Sequence, residues 1–596
     1  MAISPINLGN TFLNSSGQSV LSGISSGIDS KSIIDQVVAA QTTQVTDLED
    51  QIKLNNNKAT ALTTLNQLLT SFKSSASILS NPDSPDTTSN IFAVRTIDVT
   101  SNTTQASSNF ISAGVSSLAI AGSYRISDIS QLATAKIQTT QAFTLASADS
   151  VAVAATSTAN QFTAGTITVN GKDITLTEGQ TLNQVASAFN DVSSDTGIQA
   201  TVLQTDSGKY KIIFTGTETG EANSFDLASI TTVTADPSGV LSNIVFANPQ
   251  EANDASFKFN GVEVRRSSNN INDLVSGVSL NLLQDTTTQP GASFTLTVAP
   301  DTDNIANAVS VFAAAYNSFL TFYAQQTEID SSTGSPKESA VLYSDTTLRD
   351  IFNKITAQAS SIVSGLEDNV PDSLASVGIT FTDTPATSTA PDVSNTLSVD
   401  SATLKAALKE NFSQIADVFG YNLTSSSSNL LLYKGSSKQS VSSFTLNISN
   451  TTQTYTATYK DKNNVDQTIN LENSSLGSGG VSLTGPEGSV LEGLVLIYGS
   501  SDNVSGLTVS VTQGIAAKIY EDLSAAIEQN TGLIAIDRQE LQTKNTQTQK
   551  QITAVNEQIA KTRESLLTRF SELEAAVTKA NSALNYLNAQ QLATNS

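Results

Sequence analysis

The sequence predicts an α+β multidomain protein. N- and C-terminal coiled-coil segments form a helical stalk, a helical layer joins it, and β-rich head domains are inserted between them. Three observations lead there. Each end of the chain carries an apolar stripe at helical spacing, the middle switches to apolar/polar alternation, and helical spacing returns after Pro300 and again at Ile515.

At the C-terminal end, Ile552, Ile559, Leu566, Leu573, Ala580 and Leu587 recur every seventh residue, and Val555, Phe570, Val577 and Leu584 fill the steps of three or four. No proline follows Pro486, so one long helix is expected over 541–596. At the other end Ile34, Val38, Val45, Leu48, Ile52, Ala59, Leu62, Leu69, Phe72, Ala76 and Leu79 keep the same rhythm, broken at seam positions by Gln41 and Asn55. Polar residues on a seam weaken packing and set register or partner number. A helix with one apolar residue in three or four is marginal alone, since ordering costs about 1–2 kcal/mol per residue and a buried Leu returns about 1.5–3. The two ends are therefore expected to pack together and to complete their seams against other molecules. The expected contacts to neighbouring subunits or to another binding partner are Val38, Val45, Leu48, Ile52, Leu62 and Leu69, with Ile552, Val555, Ile559, Leu566, Phe570, Leu573, Val577, Leu584 and Leu587.

In chain order, residues 1–22 are Ser-, Asn- and Gly-rich without periodicity and read as a disordered segment. Gly23-Ile24-Ser25-Ser26-Gly27-Ile28-Asp29 gives a turn, with Asp29 or Ser30 capping a helix that starts near Lys31, and the helical stalk domain is placed at 23–80. Asn81 to Asp86 breaks that helix. Alternation then marks a discontinuous β-rich domain, 90–142 with 246–300, interrupted by an inserted β-rich domain at 143–245. Asn170-Gly171 and Asn260-Gly261 supply hairpin turns. Helices follow over 301–423 and 514–540, where Ile305, Val309, Phe312, Tyr316, Phe319 and Tyr323 share one face that reads as core. An additional β-rich insertion occupies 424–513.

Composition narrows function. The 596 residues carry a net charge of −24 with only 14% charged side chains, and no basic patch is there to hold phosphates, which favours a secreted or structural protein over a nucleic-acid binder. Cysteine, histidine and tryptophan are absent, so disulfides cannot form and the usual zinc, copper and thiol chemistries lose their ligands. No cofactor or metal site is expected. Gly23 to Gly27 fits the G-x-S-x-G pattern of hydrolases, but no histidine can take the serine proton. Asp301 and Asp303, or Asp461 and Asp466, read as solvated loop residues, so the chain is not expected to be an enzyme. The first 22 residues lack the basic and apolar regions of a Sec signal; no stretch is expected to reach the length of a membrane span, the most apolar being Val490 to Tyr498, and no membrane insertion is expected.

The run Gly23 to Asp29, followed by Ile33 to Ala40, resembles the G-L-x-S-G-L-D signature of the flagellar hook-associated protein 2 family, the filament caps of bacterial flagella. In the same collinear order come Gly122-Ser123-Tyr124 with Gln131-Leu132-Ala133, Asn260-Gly261-Val262, Asn269 to Val275, Gly277 to Leu280, Tyr343 to Leu348, Leu397 to Asp400 and Gln513 to Ala516. The resemblance covers nearly the whole chain; Gln41 stands where the family usually has glutamate. It implies a non-enzymatic homo-oligomeric ring of about five subunits at the extracellular tip of the flagellum. It further implies export by the flagellar type III route with a cytoplasmic chaperone. The partners it implies are the chain itself, flagellin and the hook–filament junction protein. Two alternatives stay open. A flagellin-like or junction protein would also have heptad ends, although flagellins begin their helical pattern almost at once. A flagellum-tip adhesin could use the polar acidic head to bind host glycans, but no residue identifies a sugar site.

Overall fold

The computed structural model describes residues 10–13, 19–22, 26–80, 90–156, 160–230, 232–235, 239–366, 369–387, 390–477 and 479–594. Its helices are α1 (Ser30–Ser80), α2 (Leu182–Asn190), α3 (Ser193–Thr196), α4 (Thr302–Gln326), α5 (Thr346–Ala359), α6 (Ser401–Glu410), α7 (Phe412–Phe419), α8 (Ile515–Ile527) and α9 (Leu533–Thr594). The chain divides into two compact units, Asp86–Asn304 and a second that joins Met1–Pro85 to Ile305–Ser596. The mixed, multidomain α+β class is therefore met, and both ends of the sequence share one unit. The break at 81–86 and the residues 23–25 fall outside the described residues.

Among the described residues of the Asp86–Asn304 unit, two large apolar cores stand out. In the first, antiparallel strands run in the order Val262–Arg266, Ala255–Phe259, Gly122–Gln131, Ser293–Pro300, Arg95–Ser101, and a smaller sheet of Asn270–Val275, Val278–Leu282 and Ile111–Val115 faces them. Phe110, Ile126, Phe257 and Phe294 fill the space between, with Phe110 and Phe294 rings 5.3 Å apart. The second core belongs to the insertion. Its main sheet pairs Ile198–Asp206, Lys209–Gly216, Ile137–Thr140 and Phe246–Gln250, and α2 covers it with Val185 and Phe189. Thr181 and Gln184 start α2 with a reciprocal capping box.

The insertion is wider than the 143–245 expected. Strands Ile137–Thr140 and Phe246–Gln250 pair with each other and with the inserted sheet, and the two parts meet where Thr134 bridges Asn253. Alternation marks a strand but not the sheet it joins. Buried Gln138 is what fixes it there. Its Nε2 donates to Asp226 Oδ1 at 2.8 Å and to Asn248 Oδ1 at 2.9 Å, while Leu227 N–H donates to its Oε1 at 2.8 Å. The hydrogen bond from Gln138 also holds the Asp226 carboxyl below its usual range. Both expected hairpin turns form, with Asn170 and Gly171 at φ +50° and +80° and Asn260 and Gly261 at +47° and +85°, the type I′ signature.

In the other unit α1, α4 and α8 pack around Phe72, whose ring lies 5.3 Å from Phe312 and 6.1 Å from Tyr316. Tyr323 stacks on Phe352 of α5 at 3.7 Å. α4 corrects the expectation that no stretch reaches membrane-span length, because it is long and apolar enough by composition to cross a membrane. Its apolar face is nevertheless spent inside the protein, where Ile305, Val309, Phe312, Tyr316 and Phe319 are all buried. A β sandwich begins at Tyr421, three residues before the expected 424. Its five-stranded sheet (Tyr421–Ser425, Val504–Gln513, Ser443–Ser449, Thr454–Lys460, Asp466–Asn470) packs on a four-stranded one (Leu430–Lys434, Val495–Tyr498, Val481–Thr484, Glu472–Ser475). Residues 1–22 are not wholly irregular either: Asn10–Leu13 and Ser19–Ser22 form an antiparallel pair whose backbone groups satisfy each other.

Candidate functional site

The candidate site is the pairing of α1 with α9. α1 starts where Gly27, at φ +70°, turns the chain so that Asp29 can cap it; Asp29 Oδ1 accepts from Ser32 N–H at 3.1 Å. From there the helix changes neighbours along its length. Leu62, Leu65, Leu69, Phe72, Ala76 and Leu79 are sealed in the core, where α1 also runs against α8. Toward the N-terminal end the seam lies on α9 and is thinner: Ile34 and Val45 are buried, whereas Val38, Leu48 and Ile52 are half-buried.

This gradient corrects two of the expected contact residues. Leu62 and Leu69 have no surface to offer a neighbour, because the unit's own helices cover them. On α9 only Ile552 is buried among the predicted residues. Val555, Ile559, Leu566, Phe570 and Val577 are half-buried, while Leu573 is 40%, Leu584 55% and Leu587 59% exposed. Outside the seam, Ile33 and Val37 of α1 and Tyr586 of α9 are exposed as well. The structure thus brings Val38, Val45, Leu48 and Ile52 to the same helix pair as Ile552, Val555, Ile559 and Leu566, and leaves Leu573, Leu584 and Leu587 open.

The polar seam positions are used unequally. Asn55 Nδ2 donates to Asn545 Oδ1 at 2.9 Å, and Asn545 Nδ2 donates to Asn56 Oδ1 at 2.8 Å. Gln41 is different: its Oε1 is buried with no hydrogen-bond partner among the described residues, a local weakness in the seam. Nearer the start, Ser26 Oγ donates to Glu574 Oε1. Sequence reading singled out Asn55 but missed Asn545 and Glu574. The signal was present, since Asn545 stands seven residues before Ile552 and Glu574 lies midway between Phe570 and Val577. Among the described residues no group of three or more carboxylates is placed to hold a metal ion.

Family models match these regions. One described as the flagellar hook-associated protein 2 C-terminus covers residues 252–483 and 491–582, more than half of the chain. Its N-terminal counterpart covers 26–136. The chain belongs to the flagellar hook-associated protein 2 family, the filament caps. A flagellin hook IN motif also matches 161–218, within the insertion. The flagellar hook-associated protein 2 of Escherichia coli K12 is 28% identical over 405 residues, 66% of this chain and 78% of that one. The A-type protein of Pseudomonas aeruginosa is 24% identical over 67% of this chain and 80% of its own length. A Helicobacter pylori relative is 30% identical, but the match spans only 29% of this chain and 23% of that protein. Among solved structures, the D1-D2-D3 domains of the E. coli flagellar cap protein FliD match 60% of this chain and 89% of their own at 26% identity, with a TM-score of 0.41. Both stretches of the α1–α9 pair, from Ser26 and to Ala580, thus lie inside matched segments of flagellar hook-associated protein 2.

Proposed function

We propose that this filament-cap protein holds the distal end of the flagellum through its paired terminal helices, and that a ring of copies retains exported flagellin while each subunit folds and inserts. One observation carries the reading: the two chain ends form a single helix pair that is firmly rooted at Leu62–Leu79 and more thinly covered at Val38, Leu48 and Ile52 and from Ile559 onward. Such a seam opens locally at small cost, so it can release and regrip as the filament grows beneath it. Exposed Leu573, Leu584 and Leu587 are the surfaces offered to flagellin, to the hook–filament junction protein at the start of growth, and to neighbouring subunits. Secretion through the flagellar type III route, with a chaperone shielding α9 beforehand, fits the same exposure. No enzymatic step is required. In this reading residues 23–80 and α9 are the gripping element and the β-rich regions form the remainder of the cap.

The test is deletion of the gene. Unpolymerised flagellin should accumulate in the medium and filaments should be short or absent, and complementation with a Leu566→Asp gene should fail to restore them. Long normal filaments in the deletion strain would refute the proposal.

A further inference from the structure

The signature serine and the seam asparagines have no role in that reading beyond local structure, yet their partners share a pattern. Ser26 meets Glu574 and Asn55 meets Asn545, so in both pairs the residue numbers add up to 600. A third crossing agrees within one turn. The Asp35 carboxyl, held low first by its hydrogen bond from Lys31, also feels the charge of Arg563. One antiparallel register therefore holds from Ser26, just before α1 begins, to Asn55, a stretch that includes about 39 Å of helix. The same register sets Val45 opposite Val555, Leu48 opposite Ile552 and Gln41 opposite Ile559. Ile552 is buried and Val555 and Ile559 are half-buried, as facing residues should be.

A seam built on sevens does not by itself choose this register. Sliding α9 by one heptad would again set apolar residues against apolar ones, for instance Leu48 against Ile559, and would move the helix about 10 Å. It would also set Asn55 against Ile552 and Asn545 against Leu62, burying side-chain amides without partners. We propose that Asn55–Asn545–Asn56 and Ser26–Glu574 are two polar clamps that fix the register of the terminal helices, and that Ser26 is the part of the Gly23 to Asp29 signature that does so. What the clamps position is the end of α9. Past Glu574 it continues to Thr594, about 30 Å of helix bearing exposed Leu584, Tyr586 and Leu587, and a one-heptad slip would shift that apolar end by a third of its length. The proposal rests on reading the terminal pair as the gripping element, but its test does not.

Because the chain has no cysteine, introduced pairs report register without background. Two reporters are placed in the purified full-length protein: Leu48→Cys with Ile552→Cys for the observed register, and Leu48→Cys with Ile559→Cys for the slipped one. Disulfide yield at high dilution is read by gel mobility, since bridging demands close Cα atoms. With clamps intact, only the first pair should close. In Ser26→Ala/Asn55→Leu/Asn545→Leu the slipped pair should gain roughly tenfold in yield, while helix content and melting temperature hold or rise because apolar residues replace polar ones on the seam. Restoring a polar crossing as Asn55→Glu with Asn545→Lys should return the yield to its original value. A clamp-free protein that still closes only the first pair would overturn the proposal, showing that apolar spacing alone sets the register; so would a slipped pair that closes with the clamps intact. The milder Asn55→Leu/Asn545→Leu variant repeats the comparison should the triple variant lose helix. No filament enters the assay, so failure here is separate from failure of the cap reading.

Discussion

Leu566→Asp and Phe72→Ala both remove an apolar side chain from the terminal helix pair, and the structure predicts opposite consequences for them. Phe72 is fully buried, with Phe312 and Tyr316 rings at 5.3 and 6.1 Å, so truncation should cost about 3–5 kcal/mol of the helical unit's stability. Leu566 is half-buried where α9 meets the thin end of α1. Full burial of a leucine is worth about 1.5–3 kcal/mol, so roughly half of that is lost, and only from the local pairing of the two helices. Calorimetry on the purified chain should show the main transition several degrees lower for Phe72→Ala and hardly moved for Leu566→Asp. Hydrogen exchange should show the reverse selectivity: amides between Ser32 and Ile52 should lose protection in Leu566→Asp, while those between Leu62 and Leu79 keep theirs. Filament attachment should fail in Leu566→Asp. Equal shifts of the main transition in the two variants would refute the reasoning, because α9 would then be ordinary core.

Two further predictions concern the joint between the sandwich and α8. Gly435→Ala would place a Cβ about 2 Å from ring atoms of Tyr421, so the sandwich should lose its seating, with a cost of about 1–3 kcal/mol seen as an earlier transition in calorimetry; an unchanged transition would show that the ring moves freely. Burial raises the Glu521 carboxyl above its usual range, against the pull of Lys434 and Lys73 and with the push of Asp522. A raised folded value means that Glu521 favours the fold below the unfolded carboxylate range and loses that contribution as pH rises through the folded value. Glu521→Gln should therefore be more stable than the parent at neutral pH and equal to it near about pH 4; a difference that does not vary with pH would exclude Glu521 as its source.

How much of this was legible in the sequence depends on whether the signal is local. The heptads of both ends, the Asn-Gly hairpins and the apolar face of α4 are local, and the elements they mark are present. What the spacing could not say is which neighbour covers a stripe. Leu62 and Leu48 occupy equivalent positions in one repeat, yet Leu62 lies in the unit's core and Leu48 is half-buried where α1 meets α9. The same limit misplaced Ile137–Thr140 and Phe246–Gln250, whose sheet is decided by the buried amide of Gln138 reaching residues 88 and 110 positions away. The Asn55–Asn545 crossing was hidden for a further reason: each asparagine reads as a flaw in its own stripe, and only the pairing of the stripes turns two flaws into one bond.

The length of α1 gives this division mechanical meaning. At 51 residues it spans about 76 Å without a break, and no proline or glycine interrupts it. Its C-terminal third is held by a core of fully buried side chains, and its N-terminal half is held by one partner helix through a seam with an unpaired Gln41 oxygen at its centre. Opening that half costs the few contacts between Val38 and Ile52 and leaves the Phe72 cluster untouched, because that cluster is covered by α4 and α8 and not by α9. A helix rooted this way can lose and regain its partner without unfolding the unit that carries it. Repeated gripping at the end of a growing polymer needs that separation between the part that lets go and the part that stays folded.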